Sequence, residues 1–399
     1  MVGALADVSV LDLTQGVAGP YCTKLLACFG AEVVKVEAPG VGDYMRRLGP
    51  FVGDDPHPET SIPFLYLNTG KKSVTLDLEE PSGRRLLLDL ARKADIVVES
   101  FVPGRMAAWG LGYEVLSEMN PRLVMTSISH FGQTGPYSGY KGEEIVDQAL
   151  SSQISITGEP DREPLKMGGD LAQYVGGQTA YTGTLIALFH AQLKGEGQHV
   201  DSAILDANVD ILDHEGLSGL SGDVRGRWGN TTDTSFLRGR GGLYECLDGW
   251  ISLGLTPGGW DAFVDMVDLP ELRNPIYRDP MTRGKHAREI EGIVEPWLRE
   301  RTRLEIYQAS QKKRNAIGYV ATPGDMLSSP HLQSREFFKD VPHPVAGPAR
   351  YPGVPFGLSD TPGSVGRSPL LGEHNREVYC QRLGLTPEDL VALRQHGII

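Results

Sequence analysis

The sequence predicts an α/β fold, with a largely parallel sheet in the first part of the chain and a smaller α+β domain after it. Two observations lead to this prediction. Over the first 135 residues, short runs rich in Val, Ile and Leu alternate with stretches of helical periodicity, which is typical of βαβ units. The chain of 399 residues is also long enough to form two or three domains.

Five strands are predicted in this first part, with helices at 20–29 and 83–92 between them. The strands cover residues 8–13, 32–37, 73–78, 95–99 and 123–129. Loops that contain Gly or Pro follow four of the strands, at 14–20, 38–43, 100–105 and 130–136. Because ligands bind outside the carboxyl ends of the strands in Rossmann-like sheets, these four loops are the predicted wall of a ligand site.

A long apolar helix is predicted over residues 171–194. It contains no Pro and no charged residue before Lys194. Gly176 and Gly177 lie within it and let a neighbouring element pack closely. Gly195 ends the helix, and residues 198–213 read as a strand followed by another helix.

The smaller domain is predicted at 225–325, between linkers at 216–224 and 326–345. Its first element is a hairpin over 242–255 that turns at Asp248-Gly249. Helical periods follow at 259–267, 284–299 and 302–312. A Pro-rich segment at 342–363 is expected to be extended, and a last helix begins with Thr386 as its N-cap and Pro387 in its first turn.

Composition argues against several classes of function. The net charge of −13 disfavours a nucleic-acid groove or an anionic membrane surface. No apolar run approaches the roughly 18–20 residues that span a bilayer. The first 13 residues lack the basic segment of a signal peptide. The four cysteines form no CxxC pair and no zinc spacing. We therefore expect a cytoplasmic protein that needs no metal and binds neither nucleic acid nor membranes.

Two roles are open for Asp170, as a helix cap or as a nucleophile. It follows Met167-Gly168-Gly169 and precedes the long apolar helix, so its carboxylate can cap that helix. Spacing alone favours this capping role. The same position also suits a carboxylate nucleophile, because two glycines let a ligand approach the backbone closely and the helix N-terminus keeps the acid ionised.

Other candidates are weaker when taken singly. His130 at a strand end is either a base or a structural hydrogen-bonding residue. Four basic residues either form a phosphate pocket or lie on a solvated surface, and these are Lys71, Lys72, Arg105 and Lys141. Gly16 and Gly19, with Glu37 about 20 residues further on, suggest a dinucleotide site. Their spacing is G-x-x-G rather than G-x-G-x-x-G, so a nicotinamide-dependent oxidoreductase is a disfavoured alternative.

Eight segments, in order and spread over nearly the whole chain, resemble the family III CoA transferases, also called CaiB/BaiF proteins. The family includes formyl-CoA transferase and carnitine CoA-transferase, and it is related to alpha-methylacyl-CoA racemase. The segments are VLDLTQGVAGPYCTKLLACFGAEVVKVEAPGVGD, NTGKKSVTLDL, ADIVVESFVPGRM, NPRLVMTSISHFGQTGPYS, GGDLAQYVGGQTAYTGTLIAL, KGEGQHVDSAILDA, YECLDGWISL and PLLGEHNREVYCQRLGL.

The resemblance implies a large domain made of both chain ends, 1–215 with 330–399, and a homodimer of interlocked subunits. It implies acyl-CoA and a carboxylic acid as substrates, with coenzyme A carried through an aspartyl-CoA thioester. Asp170 would be the nucleophile, Gln15 would orient the acyl-enzyme, and Glu144 would lie beside the reaction centre. The implied CoA-binding residues are Val17, Ala18, Asn68, Lys71, Lys72, Phe101, Arg105 and Lys141.

Two departures from the family pattern bear on this reading. Ala38 stands where formyl-CoA transferase has an Arg against adenine. Gly142-Glu143-Glu144 stands where racemase relatives have a G-H-D run, which favours transfer over racemisation. A racemase with Glu143 as its base, and a non-catalytic subunit of a heteromer, remain alternatives.

Three residues are candidate contacts for the acyl group of the substrate, and these are Arg46, Arg47 and His130. Arg46 and Arg47 follow the second strand. They either bind the second carboxylate of a dicarboxylic substrate such as succinate or contact the CoA phosphates or solvent. His130 is the third candidate contact for the substrate.

Overall fold

The computed structural model describes residues 2–212, 222, 227, 229, 230, 242–254 and 258–399. The chain divides into two units. The first comprises Met1–Gln153, Met167–Leu217 and Gln333–Ile399, and the second comprises Ile154–Lys166 and Ser218–Leu332. The predicted linker at 216–224 lies, apart from residue 222, outside the described residues.

A six-stranded parallel sheet forms the centre of the first unit, with the strand order β3-β2-β1-β4-β5-β6. The order reverses between β1 and β4, and such a switch point opens a crevice at the carboxyl ends of the strands. This sheet confirms the predicted α/β fold. Its strands are β1 (Ser9–Leu13), β2 (Glu32–Glu37), β3 (Lys72–Thr75), β4 (Ile96–Glu99), β5 (Val124–Ser129) and β6 (His199–Ala203).

The remaining elements can be listed in chain order. The α-helices are α1 (Ala18–Cys28), α2 (Ile62–Leu67), α3 (Pro81–Ala91), α4 (Arg105–Ala108), α5 (Tyr113–Met119), α6 (Glu144–Leu150), α7 (Gln153–Ile156), α8 (Leu171–Lys194), α9 (Ile204–Asp210), α10 (Trp260–Val267), α11 (Pro280–Lys285), α12 (Ala287–Arg299), α13 (Arg303–Lys312), α14 (Pro323–Ser328), α15 (Pro330–Ser334), α16 (Asn375–Leu383) and α17 (Pro387–Gln395). The other strands are β7 (Gly242–Cys246), β8 (Gly249–Leu253), β9 (Ile317–Tyr319), β10 (Phe338–His343) and β11 (Gly347–Pro352).

Both faces of the parallel sheet are buried, because successive strand residues point to opposite sides. One face packs with α3, α16 and the C-terminal residues Ile398 and Ile399. The other face packs against α1 and α8. Apolar runs such as Val33-Val34 in β2 and Ile96-Val97-Val98 in β4 reflect this burial and make these strands recognisable in the sequence.

Helix α8 has the predicted bounds and packs closely on α1. A Cβ placed on Gly177 would lie 2.5 Å from the carbonyl oxygen of Ala18, and one placed on Gly176 would lie 2.8 Å from Ile204. Glycine is therefore required for this approach. Gly195 ends the helix with a φ of +79°, a conformation that favours glycine. The beginning of α8 is thereby held against the first helix of the sheet.

The second unit contains a three-stranded antiparallel sheet in the order β7-β8-β9. Its core is formed by residues of these strands and of α10, α12 and α13. The predicted hairpin is present, but its turn is one residue earlier than expected. Cys246 pairs with Gly249, so Leu247 and Asp248 form the two-residue loop. Leu255, the predicted end of the hairpin, lies outside the described residues.

Two other details differ from the sequence-based expectation. The single helix expected at 284–299 is divided into α11 and α12, with His286 between them. The segment 326–345 contains the end of α14, helix α15 and strand β10 rather than irregular chain. Within the described ranges, no helix is both long and apolar enough to cross a membrane.

Candidate active site

Three strand-end loops of the first unit meet around a cavity of about 640 Å³. The loop after β1 contributes Gln15, the loop after β4 contributes Ser100–Pro103, and the end of β5 contributes His130. The segment Ser138–Glu143 and Gln173 of α8 complete the wall. This is the crevice that the strand order predicts.

The turn after β1 is held from below by a buried ion pair. Lys35 Nζ lies 2.9 Å from Asp43 Oδ2, and both side chains are fully buried. Lys35 Nζ also donates to the carbonyl oxygen of Thr14 at 2.7 Å. The other oxygen of Asp43 accepts from the Gly16 N–H at 3.3 Å. Strand β2 and the loop after it thereby fix the backbone on both sides of Gln15.

A second buried ion pair lies beside the first. Lys71 Nζ is 2.9 Å from Asp12 Oδ2, and both side chains are fully buried. Asp12 also accepts from the Thr14 N–H at 2.9 Å and from the Thr23 hydroxyl at 2.7 Å. Burial opposes the charge on Asp12, but Lys71 and Lys35 more than offset this and lower its pKa to about 2. Asp12 is therefore ionised near neutral pH.

Asp170 occupies the N-cap position of α8, but its side chain makes no capping hydrogen bond. Glu144 supplies the cap instead. Its two carboxylate oxygens accept from the N–H groups of Ala172 at 2.9 Å and Gln173 at 3.1 Å. The capping role that spacing favoured for Asp170 is thus filled by a residue of α6. Glu144 is a positioning residue for α8, and it is Glu143 that lines the cavity.

Asp170 is not among the residues that line the cavity, but its charge acts on Tyr44, which does line it. A Cβ on Gly16 would lie 2.3 Å from the Tyr44 hydroxyl, so the ring packs against the turn after β1. Burial, with the negative charges of Asp43, Glu143 and Asp170, raises the pKa of Tyr44 to about 12. Tyr44 therefore stays protonated and can donate a hydrogen bond inside the cavity, close to the Asp170 carboxylate.

Of the residues predicted for the site, Gln15, Ala18, Phe101, His130 and Lys141 line the cavity. The other predicted CoA-binding residues have different positions. Val17 packs in an apolar cluster with Phe64 and Leu67. Asn68 is buried, where its side-chain oxygen accepts from Lys71 at 2.9 Å.

Lys72 and Arg105 are more accessible but also lie outside the cavity wall. Lys72 Nζ forms ion pairs with Glu32 and with Glu377, the second at 2.6 Å. Arg105 lies 3.9 Å from Glu79 and 5.2 Å from the Trp109 ring. Lys141 is therefore the one predicted CoA-binding cation that lines this cavity.

The expectation that Arg46 binds a substrate carboxylate disagrees with its surroundings. Its side chain is fully buried, and its nitrogens donate to both oxygens of Glu37 at 2.7 and 2.8 Å and to Glu59 at 2.7 Å. The guanidinium also lies 3.7 Å from the Phe64 ring. With its donors committed to acidic partners, Arg46 has a structural role. Arg47 is exposed and donates to the Val41 carbonyl oxygen.

Sequence analysis did not identify Tyr44 or Asp147 as members of this region. Tyr44 directly follows Asp43 in the loop after β2, and a loop aromatic beside a carboxylate was the available signal. Asp147 is fully buried and lies 2.8 Å from Nδ1 of His130. The two residues are 17 positions apart, so no local pattern pairs them.

The chain belongs to CoA-transferase family III, which it matches over residues 5–375. This confirms the resemblance seen in the sequence. The chain is accordingly an acyl-CoA:carboxylate CoA-transferase with acyl-CoA and a carboxylic acid as substrates. In the described ranges, no three His, Cys, Asp or Glu side chains lie together as a metal site would require.

Two similar proteins with named activities cover almost the full chain. Succinyl-CoA–D-citramalate CoA-transferase of Chloroflexus aurantiacus is 35% identical over 99% of this chain and 98% of its own length. Formyl-CoA:oxalate CoA-transferase of Streptomyces coelicolor is 33% identical over 99% of each chain. Among solved structures, a CaiB/BaiF family protein from Brucella suis superposes with a TM-score of 0.84 at 27% identity, over 96% of this chain and 100% of its own.

Glu99, which directly precedes the Ser100–Pro103 part of the cavity wall, makes the stability of the fold depend on pH. It ends β4, and its Oε2 accepts from the N–H of Phe101 at 2.7 Å. Burial, aided by Asp201, raises the pKa of Glu99 to about 7 from its ordinary value of 4.5. Between these two values the folded chain binds more protons than the unfolded chain. Stability therefore falls as pH rises through this window, and the full cost is present above pH 7.

Replacing Glu99 with Gln should remove this pH dependence, because an amide oxygen can still accept from Phe101 but carries no charge. We expect Glu99→Gln to be more stable than the wild type by up to about 3 kcal/mol at pH 8 and nearly equal at pH 4. Urea unfolding at the two pH values measures the difference. The exposed Glu118→Gln is the control. A gain of the same size at both pH values would contradict the assignment.

Proposed function

We propose that the enzyme transfers CoA from an acyl-CoA donor to a carboxylic acid through a covalent thioester on Asp170. The observation that carries the proposal is the position of Asp170 at the start of α8, where Glu144 supplies the capping hydrogen bonds. Tyr44 and Gln173 of the cavity wall lie beside it. A carboxylate that is not needed as a cap at this position suits a nucleophile.

The proposed reaction proceeds by exchange between activated acyl groups. An Asp170 oxygen attacks the carbonyl of the acyl-CoA and the C–S bond breaks. CoA leaves as a thiolate, and a mixed anhydride between the acyl group and Asp170 remains. The thiolate then attacks the aspartyl carbonyl, which forms the aspartyl-CoA thioester and releases the donor acid. The incoming carboxylate attacks this thioester, and the same steps in reverse return Asp170 and the new acyl-CoA. No net proton or electron is consumed.

Negative charge develops on a carbonyl oxygen in each step, so fixed donors at the cavity wall are needed. The side chain of Gln15 is the proposed donor. Its backbone is fixed because its N–H donates to Ser100 Oγ at 3.0 Å and the neighbouring Gly16 N–H donates to Asp43. Tyr44, protonated near neutral pH, is a second donor in reach of the same region.

The proposed donor is succinyl-CoA or another dicarboxylyl-CoA. The name of the Chloroflexus relative contains succinyl-CoA as CoA source. So does that of succinyl-CoA:mesaconate CoA-transferase from Haloarcula hispanica, which is 34% identical over 94% of this chain. Lys141 at the cavity wall is the proposed contact for the CoA phosphates. The relatives are named as transferases, which does not favour the racemase alternative.

Asp170→Asn tests the nucleophile. The amide has nearly the same size but cannot form the anhydride, so we expect the steady-state transfer rate from succinyl-CoA to fall about 10³-fold or more. CoA binding, followed by calorimetry, should change little. The exposed Asp89→Asn on α3 is a matched control and should behave as the wild type. A transfer rate for Asp170→Asn within tenfold of the wild type would sink the proposal.

We further propose that the active species is a homodimer of interlocked subunits. Ile186, Phe189 and Leu193 on the outer side of α8 are 63–65% exposed, and a second copy of the chain would bury them. Threaded subunits cannot separate while both are folded. Two differently tagged preparations should therefore not form mixed dimers when incubated together, but should do so after joint unfolding and refolding. Mixed dimers without denaturant, or a monomer at micromolar concentration, would contradict this arrangement.

A further inference from the structure

We infer that His130, held by Asp147, binds the second carboxylate of the acyl group and so selects dicarboxylyl-CoA substrates. This inference rests on the proposed function and names the residue that sets its substrate class. It replaces Arg46, whose donors are committed to Glu37 and Glu59. Two steps lead to it, the charge available at the cavity wall and the way in which the imidazole is fixed.

The cavity wall contains two side chains that can carry positive charge, Lys141 and His130. Lys141 is on the segment Ser138–Glu143, whereas His130 directly follows strand β5, and its carbonyl oxygen accepts from the Leu205 N–H at 3.0 Å. A binding group whose backbone is held next to a strand keeps its position more accurately than one within a loop. Glu143 is the acidic side chain of the wall, so a substrate carboxylate is attracted to the His130 side of the cavity rather than to that of Glu143.

Asp147 fixes the orientation of His130. The Nδ1 atom lies 2.8 and 3.0 Å from the two Asp147 oxygens. Among the ion pairs of the described residues, this is the one that Asp147 forms. A buried partner on one ring nitrogen sets the direction of the other nitrogen.

The imidazole can reach a ligand only through its other edge. Nδ1 is turned to Asp147, so Nε2 is the nitrogen left for the cavity. The side chain of His130 is 30% exposed, whereas that of Asp147 is fully buried. Gly142 closes over the ring, since a Cβ there would lie 2.2 Å from it. A ring N–H held in a fixed direction at a cavity wall is a suitable hydrogen-bond donor to a carboxylate.

The test compares two thioesters with acyl chains of four carbons, succinyl-CoA and butyryl-CoA. Only the first has a distal carboxylate. Acetate serves as the common acceptor for both thioesters, and the rate of thioester consumption is corrected with Asp170→Ala. We expect His130→Phe to reduce kcat/KM for succinyl-CoA by on the order of 10- to 100-fold, mainly through KM, because one charge-assisted hydrogen bond is lost. Butyryl-CoA should change less than about threefold.

Companion variants separate binding from folding. His130→Gln retains a neutral donor and should lie between the wild type and His130→Phe. Asp147→Asn weakens the contact that fixes the imidazole and should shift the succinyl-CoA to butyryl-CoA ratio in the same direction. The exposed His331→Gln is the control. Thermal midpoints verify that each variant is folded.

Each outcome points to one conclusion. Selective loss of succinyl-CoA turnover supports the inference. Equal loss with both thioesters would overturn it and place His130 at the reacting thioester instead. Unchanged selectivity in both His130 variants, or a wild type that does not prefer succinyl-CoA, would also overturn it. If the wild type consumed neither thioester above the Asp170→Ala background, the proposed function would fail rather than the role of His130.

Discussion

The geometry of the site depends on two buried ion pairs behind the turn that follows β1, Lys35 with Asp43 and Lys71 with Asp12. Four charged groups are removed from water here, and this cost is offset only because each also bonds to the backbone or to a hydroxyl. Losing one partner of such a pair typically costs about 3–5 kcal/mol. The pairs join β1 to the residue before β3 and β2 to the loop that follows it, and the bonds of Lys35 and Asp43 to Thr14 and Gly16 fix the backbone around Gln15. A flexible turn could not keep a donor aimed at a reacting carbonyl.

At the start of α8, one acidic residue caps the helix and another is left for chemistry. Glu144 satisfies the first amides of the helix, and the close packing of Gly177 on Ala18 fixes the helix against the sheet. Asp170 is then carried to a defined position without being needed as a cap. Tyr44 packs against the turn after β1, and its pKa is raised in part by the charge of Asp170. The proposed chemistry follows from this arrangement, because a carboxylate nucleophile needs a fixed position and neighbouring donors more than it needs a shifted pKa.

The parallel sheet could be predicted because buried strands contain short apolar runs. Helix α8 could be predicted because no Pro and no charged residue interrupts the chain between Asp170 and Lys194, and Gly195 ends the helix. Ala18 and Phe101 line the cavity from two of the loops predicted as its wall, and Lys141, which the family resemblance suggested, lines it as well. The rest depended on contacts between distant residues. Arg46 looked like a ligand-binding residue until its partners Glu37 and Glu59 were known, and Glu144 caps a helix that begins 27 positions later. Such long-range pairings decide whether a charged residue is structural, and local sequence does not contain them.

The central claim is that Asp170 becomes covalently attached during transfer, and mass spectrometry tests it most directly. The protein is incubated with succinyl-CoA and a panel of other acyl-CoAs, treated with hydroxylamine or borohydride, digested, and the peptide that contains Asp170 is weighed. The account predicts a modified Asp170 with at least one thioester, and no modification without it. An unmodified Asp170 under conditions where the protein transfers CoA would contradict the account.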